Sequence, residues 1–213
     1  MKHLKTLGLV AVAIAALTAF VGVSSAAAAE FHSSIGAGVS LTGEQATSHK
    51  FTVTGSSITC TTAKFTGTTT AKTSTTQKMH PEYSGCTAFG FIGATITTTG
   101  CQYVFNSNSE NVTLEGCTAG SGAIVVNASN AFGKCIMEVP NQTGINGQKF
   151  ATGEYVVEEK KYKDITVTTN STNIKDKVTA STGICPVSVG EHTNGAYTGT
   201  TTVKASGSDI WYE

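Results

Sequence analysis

The sequence predicts an all-β protein: an antiparallel sandwich or, as the alternative, a partly closed barrel, stapled by disulfides and preceded by a signal-peptide helix. Three features predict it: threonine-rich alternating segments, turn residues between them at short intervals, and six cysteines. Threonine favours strands because its branched Cβ packs well on a pleated surface. Many short strands with regular turns are typical of sandwiches and barrels.

The first element along the chain is an amino-terminal leader. A basic start at residues 2–5 is followed by an uncharged, largely apolar run at 7–23 and by small residues ending in Ala29. This layout is typical of a signal peptide. We therefore predict a signal peptide at 1–29, cleaved after Ala29 or alternatively after Ala28. An uncleaved membrane anchor is the other interpretation, because the apolar run is long for a signal.

The rest of the chain, residues 30–213, is predicted to form a single all-β domain. Its length suits one domain with a sizeable core. The segment 30–50 is polar and weakly patterned, which predicts a loosely ordered start to the domain. A chain with a signal peptide is secreted or extracellular, and association with the cell envelope is left open.

Alternating segments recur along this domain at 51–54, 94–97, 164–168 and 197–203. No segment shows a sustained helical period of apolar residues, so strands are predicted throughout. Clusters of glycine, asparagine and serine separate the strands, at 107–111, 120–122, 144–147 and 170–173.

The cysteines all lie in the exported part of the chain, and their number is even. In a secreted protein this pattern predicts three disulfides. No two of them have the C-x-x-C spacing of a zinc site. The six residues are Cys60, Cys86, Cys101, Cys117, Cys135 and Cys185.

One hairpin allows a pairing to be predicted. If Cys101 faces Cys117 across the polar turn, Tyr103 faces Glu115, and directly opposed residues are close enough for a disulfide. We therefore predict the bond Cys101–Cys117. Sequential order then suggests Cys60–Cys86 and Cys135–Cys185, which is one connectivity among many.

The charge of the chain argues against nucleic acid as a partner. Basic and acidic residues number 14 each, but Lys2 and Lys5 lie in the leader, so the domain is slightly acidic. Arginine, the usual ligand of phosphate, is absent from the sequence. No second apolar run is long enough to span a bilayer, so we expect no membrane association after cleavage.

No catalytic, metal-binding or cofactor-binding residue can be assigned. The sequence has neither a G-x-S-x-G nor a Ser-x-x-Lys motif. His80 and Glu82 are two apart and could share a metal, but a site needs a third ligand. His49 and His192 have no local partner. The pair Glu158-Glu159 lies in a charged stretch that predicts a solvated hairpin end or a charge-protected edge strand rather than a catalytic pair.

Carbohydrate binding would need exposed aromatic platforms. Trp211, the sole tryptophan, lies near the end of the chain, where a terminal strand closing a sheet is the competing interpretation. Whether any of the tyrosines at 83, 155, 162 and 197 shares a face with it stays open.

Four short motifs, at residues 83–90, 100–105, 135–142 and 195–199, together resemble a group of secreted actinobacterial proteins with paired cysteines and no established activity. The resemblance covers most of the exported part. It implies a secreted β domain with disulfides, and it carries over no functional residue.

We therefore expect a non-enzymatic secreted or envelope-associated protein with a structural or binding role, whose partners are cell-wall or surface components. No cofactor is implied. The alternative is a secreted hydrolase with a site dispersed over loops. Its local hints are His80 with Glu82 and His192 with Glu191.

Overall fold

A computed structural model describes residues 28–213 of the chain, and these residues form strands and turns without a helix. The predicted signal peptide therefore lies outside the described residues, apart from Ala28 and Ala29. The strands are β1 (Phe31–Ser33), β2 (Ser40–Val53), β3 (Ser56–Thr68), β4 (Thr73–Ser74), β5 (Thr76–Ala88), β6 (Ile92–Thr97), β7 (Gln102–Asn106), β8 (Asn111–Glu115), β9 (Ala123–Asn130), β10 (Gly133–Pro140), β11 (Gln142–Ile145), β12 (Gln148–Val157), β13 (Lys160–Thr182), β14 (Gly190–Ala205) and β15 (Ile210–Tyr212).

Within the part of the chain that the structure describes, no helix suited to crossing a membrane is found.

Eight strands close into an antiparallel barrel in the order β5-β3-β2-β14-β13-β10-β9-β6, and β6 returns to pair with β5. The all-β prediction is confirmed. Of the two predicted architectures the structure has the barrel, and the ring is closed rather than partly closed. Closure pairs every strand of the ring on both sides, so the ring itself has no edge strand.

Two long strands let the sheet branch. In β5, the last residues of the strand pair with β6 and the first residues pair with β7. In β13, the last residues pair with β10 and the first residues pair with β12. The end of the barrel at which β5 and β13 begin is here called the lower end. β7, β8 and β11 therefore continue the sheet beside the lower half of the barrel.

A separate three-stranded sheet in the order β15-β1-β4, here called the terminal sheet, packs at the lower end of the barrel. Phe31 of this sheet contacts Phe150 of β12 edge to face, with ring centroids 5.0 Å apart. Ile210 is buried in the same cluster. The two ends of the described chain thus cover the lower end of the barrel.

The prediction of a loosely ordered start at residues 30–50 is wrong, because this segment contains β1 and most of β2. Phe31 and Leu41 are 8% and 3% exposed and belong to the core. At the start of β2 the exposed residues Ser40, Thr42 and Glu44 alternate with the buried residues Leu41 and Gly43, and this short alternation is weak in the sequence.

The register predicted for the β7–β8 hairpin is wrong by one residue. Tyr103 faces Leu114 rather than Glu115, and Glu115 faces Gln102. A one-residue slip exchanges the faces of a strand. The observed register places Tyr103 and Leu114 on the core face and the polar pair Gln102 and Glu115 on the other face. Burial of the apolar pair explains why this register forms.

Three disulfides are present, and they coincide with the pairs that sequence order suggests. They are consistent with an oxidising environment such as the extracellular space. Each one ties neighbouring parts of the sheet together. The bonds are Cys60–Cys86 between facing residues of β3 and β5, Cys101–Cys117 at the base of the β7–β8 hairpin, and Cys135–Cys185 between β10 and the loop after β13.

The core consists of three apolar clusters. One lies at the end covered by the terminal sheet, a second lies toward the opposite end of the barrel, and a third lies under β7, β8 and β11. Tyr83 and Tyr103 each pack against two of these clusters, and so does Phe51. The region where the clusters meet is therefore lined by aromatic side chains.

Candidate functional site

A cavity of about 130 Å³ lies inside the barrel where the three core clusters meet. Its wall takes residues from each of them, including Phe65, Val126 and Leu114. An engineered protein cavity of ~150 Å³ with apolar walls stays dry and binds benzene. The space is therefore large enough for one ligand about the size of a single aromatic ring.

Four polar side chains on the cavity wall form a continuous hydrogen-bonded series, here called the tyrosine–histidine chain. His49 Nδ1 lies 2.6 Å from Tyr197 Oη, and Tyr197 Oη lies 2.8 Å from Tyr83 Oη. Tyr83 Oη lies 3.2 Å from Tyr103 Oη. Polar groups that line an otherwise apolar cavity are the groups that orient a ligand.

The strands of the barrel explain why these residues meet. His49 comes from β2, Tyr83 from β5, Tyr103 from β7 and Tyr197 from β14, and all four point into the interior. A Cβ atom on Gly199 would lie 2.6 to 2.8 Å from three atoms of the His49 ring. The absence of a side chain at this position therefore makes room for the imidazole.

The four side chains of the tyrosine–histidine chain are uncharged near neutral pH. Burial lowers the pKa of His49, and the hydrogen bond to the Thr200 carbonyl opposes this only in part. Burial is also the main reason why the pKa of Tyr83, Tyr103 and Tyr197 each lies well above its ordinary value. The phenols and the imidazole therefore act as neutral hydrogen-bonding groups.

A second polar group on the wall is centred on Gln148, whose amide forms its hydrogen bonds with neighbouring protein side chains. Gln148 is 1% exposed. Its Nε2 donates to Ser171 Oγ at 2.8 Å, and its Oε1 accepts from Thr169 Oγ1 at 2.8 Å. These bonds fix the side chain in place.

The rest of the wall carries little charge. Among the described residues that line the cavity there is no lysine, aspartate or glutamate. His32 and His49 are its only titratable groups besides the tyrosines. The arrangement therefore suits a neutral ligand.

Asp176 is a separate feature that sequence reasoning missed. It is 2% exposed, and neither carboxylate oxygen has a hydrogen-bond partner among the described residues. It lies opposite His192 in the β13–β14 pairing. Burial raises the pKa of Asp176 to about 6, and the charge of His192 opposes this rise. His192 Nε2 lies 3.0 Å from the backbone carbonyl oxygen of Ser188.

The histidines considered from the sequence lie in different places. His80 Nδ1 is 3.2 Å from the Cys101 carbonyl, and His192 faces Asp176. Of His49, His80 and His192, His49 alone lines the cavity. Glu82 faces Lys64 across the β3–β5 pair. No group of three potential metal-ligating side chains occurs among residues 28–213.

The tyrosines left open by the sequence separate into two groups. Tyr83 and Tyr197 meet inside the barrel, whereas Tyr155 and Tyr162 stack on each other on the β12–β13 hairpin with ring centroids 5.5 Å apart. Trp211 lies on β15 and stacks on His32 of β1 with ring centroids 5.1 Å apart. Neither cavity tyrosine therefore shares a surface with Trp211.

No protein-family model, curated protein or solved structure matches this chain.

Proposed function

We propose that the protein is a non-enzymatic, exported binding protein that holds one small, largely apolar and uncharged ligand inside its barrel. The observation that carries this proposal is the cavity of about 130 Å³ with the tyrosine–histidine chain on its wall. Small-molecule sites combine apolar walls with a few oriented polar groups.

The rigidity of the barrel supports the proposal. The ring is closed, and the bond Cys60–Cys86 joins two facing residues of its wall. A preformed cavity loses little conformational entropy when a ligand enters, so more of the contact energy becomes binding energy.

The terminal sheet supplies part of the enclosure. Phe31 and Ile210 of this sheet line the cavity, and their strands contact the barrel at its lower end. A ligand that enters the interior would be covered on this side by apolar side chains. Enclosure favours an apolar ligand because it removes most of the ligand surface from water.

Export is supported by the disulfides and by the amino-terminal leader predicted from the sequence. Fractionation of producing cells with intact mass measurement tests it. We expect a chain that begins at Glu30, is lighter than the reduced form by two hydrogens per disulfide and takes up no alkylating agent without reductant. A cell-bound chain that keeps Met1, or one that is alkylated, would contradict export.

Calorimetric titration with benzene tests the binding function. The unchanged protein should bind one equivalent saturably. Val203→Phe places a ring into the wall of the cavity and should abolish binding. Val156→Phe is the matched control, because Val156 is 63% exposed and lies outside the cavity. Absence of binding to the unchanged protein, or equal binding by both variants, would contradict the proposal.

The second candidate function is that of a hydrolase, and the specific observation in its favour is Asp176 facing His192. A carboxylate can orient an imidazole as a general base once the two form a hydrogen bond, and such bonds often tighten only when substrate is bound. Hydrolysis of nitrophenyl esters by the unchanged protein, lost in His192→Ala but kept in His80→Ala, would support it. No hydrolysis above the buffer rate, or equal rates in both variants, would contradict it.

A further inference from the structure

The hydrogen bonds of the tyrosine–histidine chain all run in one direction. The backbone carbonyl of Thr200 sets this direction. The Nε2 atom of His49 lies 3.3 Å from the Thr200 carbonyl oxygen, and a carbonyl oxygen can only accept a hydrogen bond. Nε2 therefore carries the proton. The Thr201 hydroxyl, 3.1 Å from the same nitrogen, can accept as well. In the neutral imidazole Nδ1 is then an acceptor.

The role of each tyrosine hydroxyl as donor or acceptor follows from the role of its neighbour. Because Nδ1 of His49 accepts, the Tyr197 hydroxyl donates to it. A phenol has one proton, so Tyr197 accepts from Tyr83, and Tyr83 in turn accepts from Tyr103. Every hydroxyl proton in the chain thus points toward His49.

The chain ends at the Tyr103 oxygen. The proton of Tyr103 is used in the bond to Tyr83, and no other partner of this oxygen exists among the described residues. The oxygen retains its capacity to accept. The Tyr103 ring lies on the cavity wall beside Phe65 and Phe105, each with a ring centroid 6.3 Å away.

We infer that the ligand of the cavity is a compact, neutral, ring-sized molecule carrying an N–H or O–H group that donates a hydrogen bond to Tyr103 Oη. This inference rests on the proposed binding function and adds the chemical class of the ligand. A ligand whose polar atom is only an acceptor would place two acceptors against each other in an apolar space, which is unfavourable.

Pyrrole and furan test the inference, because they are five-membered rings of nearly the same shape. Pyrrole carries an N–H donor where furan carries an oxygen acceptor. Calorimetric titration should show that pyrrole binds the unchanged protein roughly five- to tenfold more tightly than furan, the value of one hydrogen bond.

Two variants locate the effect. Tyr103→Phe removes the accepting oxygen and should bring the ratio of the two affinities to about one. Tyr162→Phe is the matched control, since Tyr162 lies on the β12–β13 hairpin outside the cavity, and it should leave the ratio unchanged. Equal binding of both rings by the unchanged protein, or a preference for furan, would overturn the inference while keeping the binding function. Binding of neither ring would count against the binding function itself.

The tautomer of His49 gives a second readout that needs no ligand and no variant. Nitrogen-15 NMR of the unchanged protein should show a protonated Nε2 and a bare Nδ1. A protonated Nδ1 would reverse every donor in the chain, turn Tyr103 Oη into a donor and overturn the inference.

Discussion

His49 and Tyr197 lie on neighbouring strands of the barrel, β2 and β14, and His49 Nδ1 is 2.6 Å from Tyr197 Oη inside it. The two residues are 148 positions apart in the sequence. Their contact links the imidazole to two further tyrosines and gives the cavity its polar side. Both the stability and the binding properties of the interior are therefore expected to depend on it.

Tyr197→Phe is expected to destabilise the protein by about 1–3 kcal/mol, because it leaves His49 Nδ1 without its partner and Tyr83 Oη with only its bond to Tyr103. Urea unfolding measures the change. Tyr162→Phe removes a hydroxyl that makes no hydrogen bond with the described residues and should change the free energy of unfolding by less than about 0.5 kcal/mol. Equal effects of the two variants would contradict the structural role of the chain.

Gly199→Ala is expected to destabilise the protein by about 1–3 kcal/mol, because the new Cβ would overlap the His49 ring. It should also shift the NMR signals of that ring. Gly93→Ala is the control, since a Cβ at Gly93 meets nothing within 4 Å and its backbone is not in the left-handed region. A Gly199→Ala variant as stable as Gly93→Ala would show that the ring does not occupy this space.

Asp176→Asn is expected to change how stability depends on pH. Burial raises the pKa of Asp176 from an ordinary value of 3.8 to about 6, so the folded state holds this proton more tightly than the unfolded state. The free energy of unfolding should therefore fall as pH rises from about 4 to about 6, and stay level above that for this group.

The contribution of Asp176 to this fall is expected to be about 1–2 kcal/mol, which allows for solvent screening near the end of the barrel. Urea unfolding of the unchanged protein and of Asp176→Asn at several pH values measures this contribution. In Asp176→Asn the free energy of unfolding should lack this fall between about pH 4 and pH 6. An identical slope in the variant would show that Asp176 does not titrate in this window.

The disulfides are expected to differ in their contribution to stability. Cys135–Cys185 spans a sequence separation of 50 and Cys101–Cys117 one of 16, so the first restricts the unfolded chain more. Replacing both cysteines by alanine should cost about 1 kcal/mol more for the longer loop. Unfolding of the two double variants in urea without reductant compares them, and the reverse order would contradict this entropic account.

The strand content of the fold could be predicted from alternating threonines and turn residues, but the choice between sandwich and barrel could not. The contact that closes the ring, between β5 and β6, consists of three residue pairs, among them Cys86 with Ala94. A contact of this size leaves no pattern in the sequence. The strands at the start of the domain were not predicted either, because their core residues Phe31 and Leu41 are separated by mostly polar or small residues.

The candidate site was even less accessible to sequence reasoning. Tyr83 and Tyr197 are 114 positions apart, and only the closed barrel brings their hydroxyls together. From the sequence, His49 was a histidine without a local partner. The one local signal was Gly199, a small residue two positions after Tyr197 in an alternating strand, which marks a close approach.

The most direct test of the central claim, that the barrel interior binds a small apolar ligand, is a methyl NMR titration of the unchanged protein with benzene. Val126, Val139 and Ile165 line the cavity, whereas Val156 and Val157 are 63% and 49% exposed and lie outside it. Saturable shifts confined to the methyl groups of the cavity wall are the predicted result. No saturable shift, or shifts confined to the exposed methyl groups, would contradict the claim.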